Sequence, residues 1–193
     1  SDEAWDLEMT NPDPLPDGLF PVIRAVKEHG MDASLWFDAC GSVFTCEKED
    51  WAIRDKNGEP VYNRSWYHPL PSLPKQSLAG EYGDALHGFV IEALEKYGLN
   101  GIMFDNNSYH TDYEKNRRSM ANGWNSEDVQ LREIVNILDE ADSIKPGLYR
   151  FWCWGVPWPW ILLHAHHLHA GDPGRSKRMI EAVKTDYPSR AMA

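Results

Sequence analysis

Apolar and polar positions alternate along the chain with a helical period, and each helical segment leads directly into a short apolar run. In GLFPVIRAVKEHG (18–30), four apolar residues share one helical face: Leu19, Val22, Ile23 and Val26. Gly30 is a typical helix stop, and MDASLWFDACG follows it at once. The pattern therefore predicts a helix, a short loop and a strand.

The same order recurs twice. A more regular helix is predicted over YGDALHGFVIEALEKYG (82–98), which ends at Gly98 and continues into the strand LNGIMFDNN. A third helix is predicted over SEDVQLREIVNILDEAD (126–142), where Ser126 is a suitable N-cap, and the run LYRFWCWG then predicts the next strand.

The remaining segments are less regular. Between the first two repeats, D-K-N-G (55–58) predicts a turn, and several prolines exclude an interior helix, so we expect an excursion with one strand near 67–70. The run HAHHLHA (164–170) predicts a strand, and SKRMIEAVKTDY (176–187) a final short helix.

Helices that alternate with short apolar strands predict an α/β fold with a parallel sheet. The expected strands are followed by DACG, DNN and GDPG, which fits the catalytic face of a TIM-type (β/α) barrel. An open doubly wound sheet has the same local pattern. Eight barrel units take about 250 residues, whereas five or six are recognisable here. The sequence thus predicts residues 1–193 to be a single (β/α)-barrel catalytic domain or a fragment of one.

Composition narrows the class of partner. The formal charge of −11 disfavours nucleic acid, and neither an apolar run long enough to span a membrane nor a signal peptide is found, so no membrane partner is expected. The 9 tryptophans among 193 residues favour carbohydrate. Three cysteines form neither an even disulfide framework nor a zinc spacing. Compartment and oligomeric state therefore stay open.

Asp105 is the leading candidate for chemistry. It follows the apolar residues GIMF at the end of a predicted strand, where loss of hydration and fixed hydrogen bonds tune a carboxylate. A helix-capping role is the plain alternative. Cleavage of a glycosidic bond requires a second carboxyl group, and Asp38 and Asp172 are the strand-end candidates. We favour Asp172, whose alternative is an ordinary Asp-Pro-Gly turn.

A histidine cluster supports a rival hypothesis. His164, His166, His167 and His169 offer closely spaced imidazoles, and a strand places His164 and His166 on one face. No standard metal-binding spacing is met, however, so no metal ligand is assigned. A nucleophilic role for Cys153 is disfavoured by its apolar neighbours, which raise a thiol pKa.

The stretch PDGLFPVIRAVKEHGMDASLWFDACG resembles the melibiase-type α-galactosidases of glycoside hydrolase family 36 and their clan relatives. EKYGLNGIMFDNN is similar to their passage into a K-W-D-x-N motif, with Asp105 and Asn107 at the Asp and Asn. LYRFWCWG is similar to the strand that carries their N-C-S-G segment, and HLHAGDPGRSKRM stands in place of W-x-S-D before an Arg-containing helix. Asp172 then matches the general acid/base.

The resemblance implies a retaining glycoside hydrolase that acts on terminal α-linked sugars by double displacement, without a cofactor. Asp105 is the implied nucleophile and Asp172 the acid/base, with carboxyl groups about 5 to 5.5 Å apart. The implied substrate-binding residues are Trp36, Asp38, Asn107, Cys153, Trp154 and Arg178.

Three positions depart from the family pattern: Met103 replaces Lys, Phe104 replaces Trp, and Asp38 replaces Glu. The expected substrate is therefore an α-linked sugar, α-galactoside-like rather than α-galactose specifically. Two alternatives remain. One is a non-catalytic carbohydrate-binding barrel remnant with a groove lined by Trp36, Trp152, Trp154, Trp158 and Trp160. The other is a metal-dependent hydrolase that uses the histidine cluster.

Overall fold

Helix–strand repeats make up the described part of the chain. The computed structural model describes residues 18–40, 49–62, 74–105, 107, 109–115, 117–118, 127–153 and 161–169. The helices are α1 (Phe20–Glu28), α2 (Glu81–Tyr97), α3 (Glu127–Ile144) and α4 (Ile161–His164), with a short 3-10 helix at Glu49–Trp51. The strands are β1 (Ser34–Asp38), β2 (Gly101–Asp105), β3 (Tyr149–Cys153) and β4 (His167–His169).

The four strands form one parallel sheet in the order β1-β2-β3-β4. Each strand lies beside the strand that follows it in sequence, which is the arrangement expected when helices connect parallel strands. The predicted α/β class with a parallel sheet is confirmed in this form. Closure of the sheet into a barrel stays a prediction.

Helices pack against one face of the sheet. Phe37 of β1 and Phe104 of β2 are buried there, with ring centroids 5.9 Å apart. Phe89 of α2 meets Phe37 edge-on at 5.8 Å. Trp152 of β3 shares this face, because side chains alternate along a strand and its register partner is Phe104. The apolar core therefore lies between the sheet and α2 and α3.

The opposite face carries a row of side chains in register across all four strands. Trp36 pairs with Met103, Met103 with Phe151, and Phe151 with His167. Trp36 is 53% exposed, although it is one of the largest apolar side chains of the chain. Within the described residues no helix covers this row.

Two glycines end the helices where the sequence predicts. Gly98 adopts the left-handed conformation at φ 57° after α2, and Gly30 has φ 72° after α1. The left-handed region carries little steric penalty without a Cβ atom. Each glycine turns the chain into the next strand, and so fixes where the carboxyl ends of β1 and β2 fall.

The excursion after β1 forms isolated antiparallel bridges that join Ala52 to Gln76, Arg54 to Pro60 and Tyr62 to Pro74. Its predicted turn is confirmed: Asp55 accepts hydrogen bonds from the backbone N–H of Asn57 at 2.8 Å and of Glu59 at 2.9 Å. The strand predicted near 67–70 and the final helix predicted at 176–187 lie outside the described residues.

The predicted strand over 164–170 is wrong in its first half. His164 ends α4, where the backbone N–H of Ala165 bonds to the carbonyl of Ile161 at 2.8 Å, and β4 begins only at His167. Nδ1 of His164 lies 2.6 Å from a carboxylate oxygen of Asp139 on α3. His164 and His166 therefore do not share one face of a strand, because this tertiary contact and the helical turn override the local pattern.

Candidate active site

Asp38 and Asp105 lie side by side at the carboxyl ends of β1 and β2. The two residues are register partners, and the backbone N–H of Ala39 continues the ladder with a 2.9 Å hydrogen bond to the carbonyl of Asp105. Neighbouring strands are about 4.8 Å apart. Alternation places both carboxylates on the face of the sheet opposite α2, the same face as Trp36. The structure thus brings together three of the predicted site residues.

Local hydrogen bonds hold the end of β1. The backbone N–H of Cys40 donates to Oδ1 of Asp38 at 3.0 Å, and the hydroxyl of Tyr82 on α2 donates to the Asp38 carbonyl at 2.9 Å. The side chain of Asp38 therefore turns back on its own loop, while α2 fixes its backbone.

Asn107 is fully buried and braces two strand ends. Its amide Nδ2 donates to the carbonyl of Phe104 at 3.0 Å and to that of Cys153 at 2.7 Å. Its Oδ1 accepts from the hydroxyl of Tyr109 at 2.8 Å. Both amide protons are thus used within the protein, and two predicted substrate-binding residues, Asn107 and Cys153, meet through a side chain and a carbonyl.

Lys75 is a charged residue of this edge that the sequence did not single out. It is 3% exposed, and its burial lowers its pKa, an effect opposed by the negative charges of Cys40 and Asp38. Partial burial lowers the pKa of His110, and the Lys75 charge lowers it further. The carboxylate edge therefore contains a buried cation.

Two buried tyrosines complete the surroundings. Burial raises the pKa of Tyr82 well above its usual range, and the charges of Asp38, Cys40 and Tyr109 add to the effect. Burial also raises the pKa of Tyr109 well above its usual range, and the charge of Cys40 adds a smaller effect. Both phenols are therefore neutral hydrogen-bond donors at physiological pH.

Of the other four predicted site residues, the structure describes only Cys153. Asp172, Trp154 and Arg178 lie outside the described residues. Cys153 is buried at the end of β3.

The carbohydrate-binding groove predicted for a non-catalytic barrel remnant would need Trp36 and Trp152 side by side. Trp152 is buried on the helix-packed face of the sheet, whereas Trp36 lies on the opposite face. These two tryptophans therefore cannot line one groove.

Two histidines of the rival metal hypothesis contact different partners. His164 pairs with Asp139, and the Tyr149 hydroxyl lies 3.1 Å from Nδ1 of His167. Across the described ranges, no three His, Cys, Asp or Glu side chains are grouped closely enough to hold a metal ion. Nor does any described helix have the length and apolarity needed to cross a membrane.

Local sequence patterns do not predict Lys75 and Tyr82 at this edge, because both reach it from segments distant in sequence. Tyr109 follows Asp105 closely in sequence, but no local pattern predicts its contact with Asn107. A weak signal exists for Lys75, which is the one charged residue in the run PLPSLPKQSLAG. A lone lysine among apolar and small residues indicates a buried cation with a partner.

Comparison with known proteins gives structural likenesses alone. No family model matches the chain, and no curated protein sequence matches it. Solved structures do. An α-galactosidase from Lactobacillus brevis superimposes with a TM-score of 0.63 at 17% identity, over 89% of this chain and 23% of the other. A family 36 α-galactosidase from Geobacillus stearothermophilus gives 0.62 at 18% identity, over 95% and 25%.

An α-galactosidase from Thermus thermophilus, solved with p-nitrophenyl α-D-galactopyranoside, gives a TM-score of 0.56 at 21% identity, over 82% of this chain and 31% of the other. This chain thus spans about a quarter to a third of the length of these enzymes. The likenesses establish a glycoside hydrolase-like fold.

Proposed function

We propose that residues 1–193 are the catalytic (β/α)-barrel domain, or a fragment of one, of a retaining glycosidase related to the family 36 α-galactosidases. The observation that carries the proposal is the position of Asp105. It ends an inner strand of a parallel sheet, beside Asp38, on the edge where ligand chemistry gathers in such sheets. The likeness to α-galactosidase structures supports the same reading.

The proposed reaction is a double displacement. A carboxylate oxygen of Asp105 attacks the anomeric carbon while Asp172 gives its proton to the departing glycosidic oxygen. Asp172 then takes a proton from water, which attacks the same carbon and releases the sugar from Asp105. Two inversions give net retention of the anomeric configuration.

The substrate site extends from these carboxylates. Trp36 offers an aromatic face to a sugar ring and Asp38 accepts hydroxyl hydrogen bonds. Trp154 and Arg178, which follow β3 and β4 in sequence, are the further substrate-binding residues of the proposal. Asn107 and Cys153 contribute by holding the strand ends, since Asn107 binds the Cys153 carbonyl. An α-galactoside is the first substrate to test, because the Thermus enzyme was solved with one.

The test of the nucleophile is Asp105→Asn assayed with p-nitrophenyl α-D-galactopyranoside and other aryl α-glycosides. The amide keeps the shape of the carboxylate but cannot attack, so turnover is expected to fall at least about 10⁴-fold with sugar binding little changed. Glu95→Gln, the same chemical change on the exposed side of α2, is the control and should retain full activity. Equal turnover in Asp105→Asn and the wild type would exclude the nucleophile role.

A separate experiment identifies the acid/base. In Asp172→Ala, hydrolysis of substrates with poor leaving groups should fall most, and azide should restore turnover by giving the glycosyl azide of retained configuration. Rescue in Asp38→Ala but not in Asp172→Ala would move the acid/base role to Asp38.

The second candidate function is sugar binding without hydrolysis. The neutral Met103 beside the exposed Trp36, on the face of the sheet opposite α2, favours it. Calorimetry that shows sugar binding, together with no detectable hydrolysis of any aryl α-glycoside by the intact protein, would establish this candidate over the enzyme.

A further inference from the structure

A buried lysine lies against the carboxylate edge. The carbonyl of Lys75 accepts a hydrogen bond from the N–H of Ile53 at 2.7 Å, and its own N–H donates to the carbonyl of Val61 at 2.8 Å. The next residue, Gln76, donates its N–H to the carbonyl of Cys40 at 2.7 Å. The segment that carries Lys75 is therefore fixed alongside Cys40, which lies two residues after Asp38 at the end of β1.

The charges of this edge act on one another. Burial lowers the pKa of Lys75, whereas Cys40 and then Asp38 favour its charged form. Burial lowers the pKa of His110, and the Lys75 charge adds to this effect. The titratable groups linked electrostatically at this position are Asp38 at the end of β1, Cys40 after it, Tyr82 on α2, and Tyr109 and His110 after β2. Asp105 of β2 is the register partner of Asp38.

Other basic side chains with described contacts are engaged elsewhere. Arg117 binds Asp112, Arg118 binds Asp84 and Glu133, and Arg150 lies against Asp142. Lys27 and Lys145 both bind the Gly98 carbonyl, at the opposite end of β2 from Asp105. Among these groups, Lys75 is the cation whose charge acts on Asp38.

We propose that Lys75 supplies the positive charge that allows Asp38 and Asp105 to be ionised side by side. Two adjacent carboxylates repel each other, and one of them takes up a proton unless a nearby cation offsets the repulsion. The nucleophile of the proposed reaction must be an anion, so this inference rests on the proposed function. Lys75 is a positioning residue, since it acts through the carboxylates.

The direct test is a carboxyl-carbon NMR titration of Asp38 in the wild type and in Lys75→Met. The midpoint for Asp38 should rise by about one pH unit when the cation is removed. Lys75→Arg should restore most of the shift, because it keeps the charge. Lys56→Met, the same charge change at the exposed turn, should leave the midpoint in place. An unchanged midpoint in Lys75→Met overturns the inference.

A reciprocal measurement covers the case in which Lys75→Met does not fold. Coupling between two titrating sites is mutual, so Asp38→Asn should lower the titration midpoint of the Lys75 ammonium by a similar amount. A Lys75 midpoint that stays the same in Asp38→Asn also overturns the inference.

Activity separates this inference from the proposed function. In Lys75→Met, the acidic limb of kcat/KM for an aryl α-glycoside should move to higher pH, whereas a merely structural lysine would lower activity equally at all pH values. Absence of hydrolysis in the wild type refutes the proposed function, while the Asp38 titration still decides the inference. Hydrolysis without any titration shift refutes the inference alone.

Discussion

Asn107 is the residue whose contacts most directly connect the sequence motif to the geometry of the site. Its amide donates to the carbonyls of Phe104 and Cys153, and its oxygen accepts from Tyr109. A buried amide with these three bonds fixes the backbone on either side of Asp105 relative to β3. The Asn of the DNN motif therefore acts through the strand ends that it joins.

This role predicts a large effect for Asn107→Asp. The substitution keeps the shape but replaces a donor of two hydrogen bonds with an oxygen that repels both carbonyls. The free energy of unfolding should fall by about 3 kcal/mol or more, since a buried group loses its partners and gains a charge. Urea denaturation of the wild type and of Asn107→Asp at pH 7 measures this difference in the free energy of unfolding.

Tyr109→Phe is the matched control, because it removes only the bond to the oxygen of Asn107. A loss of about 1 kcal/mol is expected there. If Asn107→Asp costs no more than Tyr109→Phe, the brace between β2 and β3 is not a significant source of stability.

Helix α2 approaches the loop that precedes it closely at Gly83. A Cβ atom added to Gly83 would lie 2.2 Å from the carbonyl oxygen of Leu78, which belongs to the backbone and does not move aside easily. Gly83→Ala should therefore lower the free energy of unfolding by about 1–3 kcal/mol, as overpacking does in other cores. Thermal denaturation followed by circular dichroism measures the change.

Gly88 of the same helix provides the comparison. A Cβ atom at Gly88 meets nothing within 4 Å, and the position is exposed. Gly88→Ala should stabilise the protein by about 0.5–1 kcal/mol through helix propensity. Destabilisation of equal size at both positions would contradict the close packing of Gly83 against Leu78.

Elements with strong periodicity and a glycine stop are predictable from sequence, and elements set by tertiary contacts are not. The helices before Gly30 and Gly98, and the strands that follow them, come from local rules of period and conformation. His164 reads as part of a strand by composition. It ends a helix because it pairs with Asp139 of α3, a contact that no local pattern contains.

The candidate site likewise contains features that local sequence patterns predict and features that depend on tertiary contacts. The positions of Asp38 and Asp105 at strand ends follow from apolar runs, and their adjacency follows from parallel pairing of neighbouring repeats. Lys75 reaches that edge through an irregular excursion with isolated bridges. Its burial depends on where the excursion folds back, and neither helical nor strand periodicity encodes that position.

The described part of the chain forms a parallel sheet with helices packed against one face. In a closed barrel, the row formed by Trp36, Met103, Phe151 and His167 would face the interior, where such barrels stack side chains in layers. This chain spans about a quarter of the length of the similar α-galactosidases.

Covalent trapping in the intact protein tests whether Asp105 is the nucleophile. A fluorinated α-glycosyl fluoride that forms the glycosyl-enzyme quickly and hydrolyses slowly should add one sugar mass to the protein. Peptide mass spectrometry should then place the sugar on Asp105. Label on another carboxylate, or steady hydrolysis of an aryl α-glycoside by Asp105→Asn, would show that Asp105 is not the nucleophile.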